Sequence, residues 1–212
     1  ELRTPLAALT LQVQLAERAA DDATRSEAFA DLRGGLQRAT HSVQQLLTLA
    51  RLEPGAREPV SQPVDLRQLA ARVIADHLPL AEARRIDLGA SPQQQPCIVS
   101  GDADALRILL ANLVSNALRF TPHGGRVDVV TGAAGAVPFV EVCDSGEGIP
   151  PAECERVFDR FYRRAPAGEA GSGLGLAIVR SIAERHRAQV LLDQAALGGL
   201  RARVEFPPRP SA

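Results

Sequence analysis

Through the first 52 residues, apolar side chains return every three or four positions. Leu2, Leu6, Leu9, Val13 and Ala16 form one series; Leu32, Leu36, Ala39, Val43, Leu46 and Ala50 form a second. That step is the seam of a coiled coil and predicts two helices. Between them, Asp21-Asp22-Ala23-Thr24 interrupts the pattern with residues suited to capping the second helix. Two such helices alone bury too little, so the pattern predicts that the hairpin pairs with another copy as a four-helix bundle. The plainer alternative is a hairpin packed on the rest of the chain.

Residues 53–63 carry three Pro and a Gly and read as a linker. Beyond them the period changes. Val64–Ala81, Asp104–Arg119 and Leu174–His186 read as helices. Ile86–Leu88, Cys97–Val99, Val127–Thr131, Val137–Cys143, Val190–Asp193 and Arg201–Phe206 read as strands. Strands and helices mix without strict alternation. The predicted fold is thus a helical hairpin over 1–52, then an α+β sandwich over 64–212 with helices on a mainly antiparallel sheet.

Composition removes several classes. The net charge of −1 argues against a nucleic-acid binder driven by bulk charge. The chain has no Lys, so a Walker-type phosphate loop is excluded. Gly-x-Gly-x-x-Gly is absent, because its last position would be Pro151 or Ile178, which disfavours a dinucleotide site of the Rossmann kind. Cys97, Cys143 and Cys154 have no paired or metal-type spacing and read as small buried hydrophobes. The four His are scattered, with no ligand spacing. No apolar run approaches the ~20 residues that span a bilayer. With no Met, even at position 1, the chain is expected to be a piece of a longer protein.

The chemistry-bearing residues fall in four short motifs. Asn112 and Asn116 stand four apart on one face of a predicted helix, with Arg119 one turn further. Amide oxygens are hard ligands suited to Mg²⁺ and Arg119 is a cation for phosphate, whereas a structural reading makes one Asn a cap for a neighbouring loop. Asp144 leaves an apolar strand into Ser-Gly146-Glu-Gly148-Ile149. A carboxylate there can accept from an exocyclic amine such as adenine's, Gly146 and Gly148 allow a tight turn, and Ile149 can pack on a flat base. An ordinary Asx turn explains the glycines but not the other motifs.

Phe158 and Phe161 are spaced for one helical face and read as packing residues. Gly171, Gly173 and Gly175, interleaved with Leu174 and Leu176, directly precede a helix. There free backbone N–H groups and a helix N-terminus favour an anion. Residues 162–170, with Arg163 and Arg164, read either as a lid over that ligand or as a solvated loop.

In this order and spacing the motifs resemble those of the transmitter core of two-component sensor histidine kinases, and the second half resembles the wider GHKL ATPase superfamily. Asn112–Asn116 is similar to the N box, Asp144–Gly148 to the G1 box, Phe158–Phe161 to the F box and Gly171–Gly175 to the G2 box. Glu1-Leu-Arg-Thr4-Pro5-Leu is similar to the tail of the H box. The resemblance implies ATP and Mg²⁺ as cofactors, with the metal on Asn116 and adenine on Asp144. The site so implied comprises Asn112, Asn116, Arg119, Asp144, Gly146, Gly148, Ile149, Phe161, Arg163, Gly171, Gly173, Leu174, Gly175 and Leu176.

It further implies that a His immediately before Glu1 takes the γ-phosphoryl group and passes it to an Asp on a response-regulator receiver domain. Glu1 would orient the imidazole or take its proton. Thr4 would position water for dephosphorylating the regulator, and Pro5 would kink the first helix. A homodimer and the cytoplasmic portion of a bacterial inner-membrane sensor are also implied, with membrane contact only through regions N-terminal to this sequence.

Three departures stand out, the first being Arg119 where many relatives have Lys, which keeps the charge but changes its geometry. The acceptor His precedes the first residue, so these 212 residues are expected to bind ATP without phosphorylating themselves at the H box. Arg187-Ala188 replaces the usual paired glycines after His186, which puts the turn into the Val190 strand in question. The alternatives are a GHKL ATPase of another kind, or a dimeric nucleotide-binding scaffold without kinase activity.

Overall fold

The computed structural model describes residues 3–19, 21–52, 61–90, 97–163 and 172–208; the side chains of 3–8, 37, 38, 41 and 52 are outside that description. Leu2, residues 53–60 of the expected linker and Arg164 lie outside the described residues.

Helices α1 (Arg3–Glu17) and α2 (Asp22–Leu52) form the hairpin. Asp21 caps α2 as its sequence predicts: Thr24 donates its N–H to Asp21 Oδ1 at 2.8 Å and its hydroxyl to Oδ2 at 3.0 Å. Pro5 lies in the first turn of α1, where a missing N–H is tolerated. Within one chain the predicted seam is only half covered. Ala16 is buried, but Val13, Leu36 and Val43 are exposed, as are Leu11, Leu15, Phe29 and Leu47.

The second unit begins with β1 (Gln62–Asp65), α3 (Leu66–Ala83), β2 (Asp87–Ala90), β3 (Ile98–Gly101) and α4 (Ala103–Phe120). It continues with β4 (Arg126–Ala134), β5 (Val137–Asp144), α5 (Gly175–Arg185), β6 (Gln189–Gln194) and β7 (Leu200–Glu205). A five-stranded sheet runs β2-β4-β5-β7-β6, and β1 pairs with β3 in a separate two-stranded ladder. Only the β2–β4 pair of the larger sheet is parallel. The expected α+β sandwich with a mainly antiparallel sheet is what the chain forms.

Strand alternation builds the layers. Val127, Val129, Val140, Val142, Ala202 and Val204 are buried with the apolar faces of α3, α4 and α5. Asp128, Glu141, Arg201 and Arg203 alternate with them and stay partly exposed. Arg203 donates to Glu141 at 3.4 Å and to Glu205 at 2.8 Å, so this opposite face balances its own charge.

Three expectations need correction. The helix read from Val64 begins at Leu66, because Asp65 is its extended N-cap, accepting the Arg67 N–H at 2.9 Å, and Val64 is held in β1 opposite Val99. Gln62 and Pro63, read as linker, also belong to that strand. Phe158 and Phe161 do not share a helical face. Phe158 closes a single 3-10 turn, Asp159 is extended, and Phe161 adopts φ +68°.

Candidate nucleotide site

Helix α4 carries Asn112 and Asn116 on the face that meets the start of α5. A Cβ built on Gly175 would lie 3.2 Å from Asn112 Oδ1 and 3.4 Å from either polar atom of the Asn116 amide. Any side chain at 175 would therefore crowd both amides. The two are not equivalent. Asn112 donates to the Ile108 carbonyl at 2.8 Å and accepts from Gln45 Nε2 at 3.2 Å. The side chain of Asn116, partly exposed, makes no hydrogen bond among the described residues, so its amide is available to a ligand.

Helix α5 starts with no side-chain cap, which leaves the first-turn N–H groups beyond Leu174 open to an anion. Ser172 instead accepts the N–H of Leu174 at 3.1 Å. Gly173 takes φ +70°, and its Cβ would fall 2.8 Å from Phe161 Cα. Phe161 in turn donates its N–H to the Gly173 carbonyl at 2.9 Å. The F-box and G2-box segments are thus pinned together on either side of residues 164–171. Gly171 lies outside the described residues, and Arg163 is exposed. Leu174 is 1% exposed and belongs to the core, so its part in the site is through its backbone; Leu176 is only partly buried.

Asp144 ends β5 and is 4% exposed. Its Oδ1 accepts the N–H of Gly146 at 2.9 Å and of Leu200 at 3.0 Å. Burial pushes its carboxyl above the usual value, and those two N–H donors pull part of the way back. Gly146 is required by close approach, since its Cβ would sit 2.5 Å from the Phe120 carbonyl at the end of α4. Gly148 has φ +69° and packs on Gly199. Ile149 is half-buried beside it. Arg119 stacks on Phe120 at 4.9 Å, one turn beyond Asn116.

The structure therefore brings Asn112 and Asn116 to Gly175, with Gly173 packed on Phe161 and the Asp144 turn held at the C-terminal end of α4. Glu1 lies outside the described residues, as does the side chain of Thr4, whose backbone is in α1.

Sequence reading missed two residues here. Gly199 admits no side chain, because a Cβ there would lie 2.1 Å from Asp144 Oδ1. The pair Gly198-Gly199 before a strand was its signal. Gln45 is 8% exposed, and nothing in the helical pattern marks it as different from its polar neighbours.

Comparison with known proteins agrees with this arrangement. Residues 1–55 match the His Kinase A (phospho-acceptor) domain, and residues 101–210 match the histidine kinase-, DNA gyrase B- and HSP90-like ATPase. Sensor protein QseC of Salmonella typhi is 37% identical over 207 residues, 97% of this chain and 45% of that protein. Full-length ShkA in complex with AMPPNP superposes with a TM-score of 0.73 at 27% identity, over 96% of this chain and 43% of that one. A mycobacterial sensor histidine kinase, MprB, gives 0.61 at 32% identity, over 72% of this chain and all of that one (100%).

The chain belongs to the sensor histidine kinase family, as its phospho-acceptor and ATPase domains together define it. The phospho-acceptor match disfavours a GHKL ATPase of another kind. The chain spans about half the length of the curated relatives it matches, 45% of QseC. Among the described residues, no helix is long and apolar enough to cross a membrane.

Proposed function

We propose that these residues form the kinase core of a two-component sensor, binding ATP between α4 and α5. The observation that carries this reading is the Asn112–Asn116 pair facing Gly175 across a gap that a single Cβ would fill. Asp144 accepts the adenine amine, and the N–H groups at the start of α5 line the phosphates. Asn116, with its uncommitted amide, fits Mg²⁺, and Asn112 lies beside it toward the phosphates. The metal neutralises charge on the phosphates when bound; Arg119 and Arg163 add cationic charge at the rim.

The reaction is in-line phosphoryl transfer. A nitrogen of the acceptor imidazole, in the residue before Glu1 of the parent chain, bonds to the γ-phosphorus as the bond to the bridging oxygen breaks. ADP leaves, and the Glu1 carboxylate takes the imidazole proton. The phosphoryl group then passes to an Asp of a receiver domain, freeing the imidazole, and in the phosphatase role Thr4 positions water that hydrolyses the aspartyl phosphate to inorganic phosphate and the free carboxylate.

The hairpin dimerises through its uncovered seam. Leu36 at 57% and Val43 at 40% exposure belong to that surface with the half-buried Leu9 of α1, and the sequence pattern adds Leu6, whose side chain lies outside the description. The parent protein is proposed to reach a bacterial inner membrane through regions N-terminal to this sequence.

The test restores a His before Glu1 and incubates the chain with radiolabelled ATP and Mg²⁺. Acid-labile, alkali-stable phosphate is expected on the His-bearing chain alone. Nucleotide binding without such phosphate would leave an ATPase or scaffold. Sedimentation at micromolar concentration is expected to give a dimer, and a monomer would refute the seam assignment.

A further inference from the structure

Gln45 lies on α2, outside the ATP motifs, yet its one amide touches two of them. Nε2 donates to Asn112 Oδ1 at 3.2 Å, and Oε1 accepts the hydroxyl of Ser172. That hydroxyl also accepts the N–H of Leu174, the N-cap residue of α5. One turn further along α2, Leu49 is 3% exposed within the main core. Two residues beyond it, Arg185 of α5 donates to the Arg51 carbonyl at 2.8 Å. The hairpin helix is therefore docked along α5, with Gln45 at the end nearest the nucleotide site.

The docking commits groups the site needs. Asn112 has its nitrogen on Ile108 and its oxygen on Gln45, so both ends of its amide are bonded within the protein. Gln45 is itself buried, and a buried amide that loses its partners is strongly disfavoured.

We propose that Gln45 is an interdomain latch, such that docking of α2 on α5 and occupation of the nucleotide site oppose each other. A nucleotide that draws on Asn112 and reshapes the Ser172–Gly175 turn must break both Gln45 bonds. By linkage, docking weakens nucleotide binding by the same factor as nucleotide weakens docking. The chain then releases its hairpin from the catalytic half when nucleotide arrives. This rests on the reading of Asn112 and the turn before α5 as part of an ATP site.

The test titrates the full chain and its Gln45→Leu variant calorimetrically with a non-hydrolysable ATP analogue and Mg²⁺. Leu keeps most of the volume and removes both hydrogen bonds. The variant is expected to bind about 5–10-fold more tightly, within the usual range of coupling between sites. In the unaltered chain, nucleotide is expected to increase amide hydrogen exchange along residues 42–52. No binding by the unaltered chain would overturn the ATP-site reading itself. Binding by the unaltered chain with equal or weaker affinity in Gln45→Leu would overturn the latch alone. If Gln45→Leu loses cooperative melting, Arg185→Ala reads the same interface from its other end. It is expected to tighten binding as well, and an unchanged affinity there would refute the latch.

Discussion

Asp144 Oδ1 accepts the N–H of Leu200 at 3.0 Å, so the residue that ends β5 is fastened to the residue that begins β7. The same oxygen holds Gly146, so on the proposed reading Oδ2 is the atom that meets the adenine amine. Asp144→Asn keeps an acceptor oxygen for both N–H groups and replaces the other oxygen with a donor. Nucleotide affinity is expected to fall about 10–100-fold, the worth of a hydrogen bond to a charged group, with little change in melting temperature. Calorimetric titration checks it, and unchanged affinity would mean that adenine is recognised elsewhere.

The raised carboxyl of Asp144 also fixes the sign of a pH effect. Burial holds its folded pKa above the unfolded 3.8, so the folded chain keeps this proton more tightly. Its contribution to stability is therefore unfavourable above the folded pKa and is relieved as pH falls toward the unfolded value. Nucleotide binding moves the other way, since the amine needs an ionised acceptor. Affinity is expected to weaken as pH drops through the raised pKa, beginning at a higher pH than an ordinary aspartate would set, and Asp144→Asn is expected to flatten that dependence. An identical slope in the variant would assign the titration to another group.

Asn116 contrasts with Asn112 in having no hydrogen bond to lose. Asn116→Ala is expected to leave stability within about 0.5 kcal/mol, with the better helix propensity of Ala working in its favour. The enhancement of nucleotide binding by Mg²⁺ is expected to disappear. Titrations with and without the metal decide it, and a retained enhancement would place the ion on other ligands.

These contrasts show what the sequence makes legible. The asparagines, Asp144 and the glycines before α5 are readable because local spacing on one helix, strand end or turn dictates their relation. Most elements were read within a few residues of where they lie, since period-2 and period-3.6 burial governs them. Val64 and Asp65 were not, because an Asp cap outweighed apolar continuity. Phe161 at φ +68° is held by a hydrogen bond to Gly173, a partner twelve residues away that no local pattern reveals. Gln45 was invisible for the same reason: its meaning lies in Asn112, 67 positions along the chain, and in a helix contact.

Arg84 extends that lesson to the end of α4. Its guanidinium donates to the carbonyls of Leu118 at 2.6 Å, Arg119 at 3.1 Å and Thr121 at 3.4 Å. These are C-terminal carbonyls that the helix cannot satisfy itself. Arg84→Ala is expected to destabilise the chain by about 1.5–3 kcal/mol in urea unfolding. It is also expected to weaken nucleotide binding several-fold, because Gly146 is wedged against the Phe120 carbonyl. Arg84→Lys keeps the charge without the planar fork and is expected to recover only part of either loss. Wild-type affinity in Arg84→Ala would show that the α4 terminus does not position the Asp144 turn.

The departure at Arg187 resolves into a strained but intact turn. The chain leaves α5 with Arg187 at φ 53°; its N–H reaches the Glu184 carbonyl at 3.0 Å, and the Ala188 N–H reaches Ala183 at 2.8 Å. That is the helix C-terminal geometry glycine favours, made here by a residue with a Cβ. A left-handed residue of that kind costs roughly 1–2 kcal/mol. Part of it returns on substitution, because Gly also loses more freedom on folding. Arg187→Gly is therefore expected to raise stability by about 0.5–1 kcal/mol, or roughly 1–4 °C in melting temperature. Arg187→Ala separates this from a charge effect, since Ala removes the guanidinium and keeps the Cβ. The Gly variant is expected to exceed the Ala variant, and equal stabilities would show that the left-handed turn costs this chain nothing.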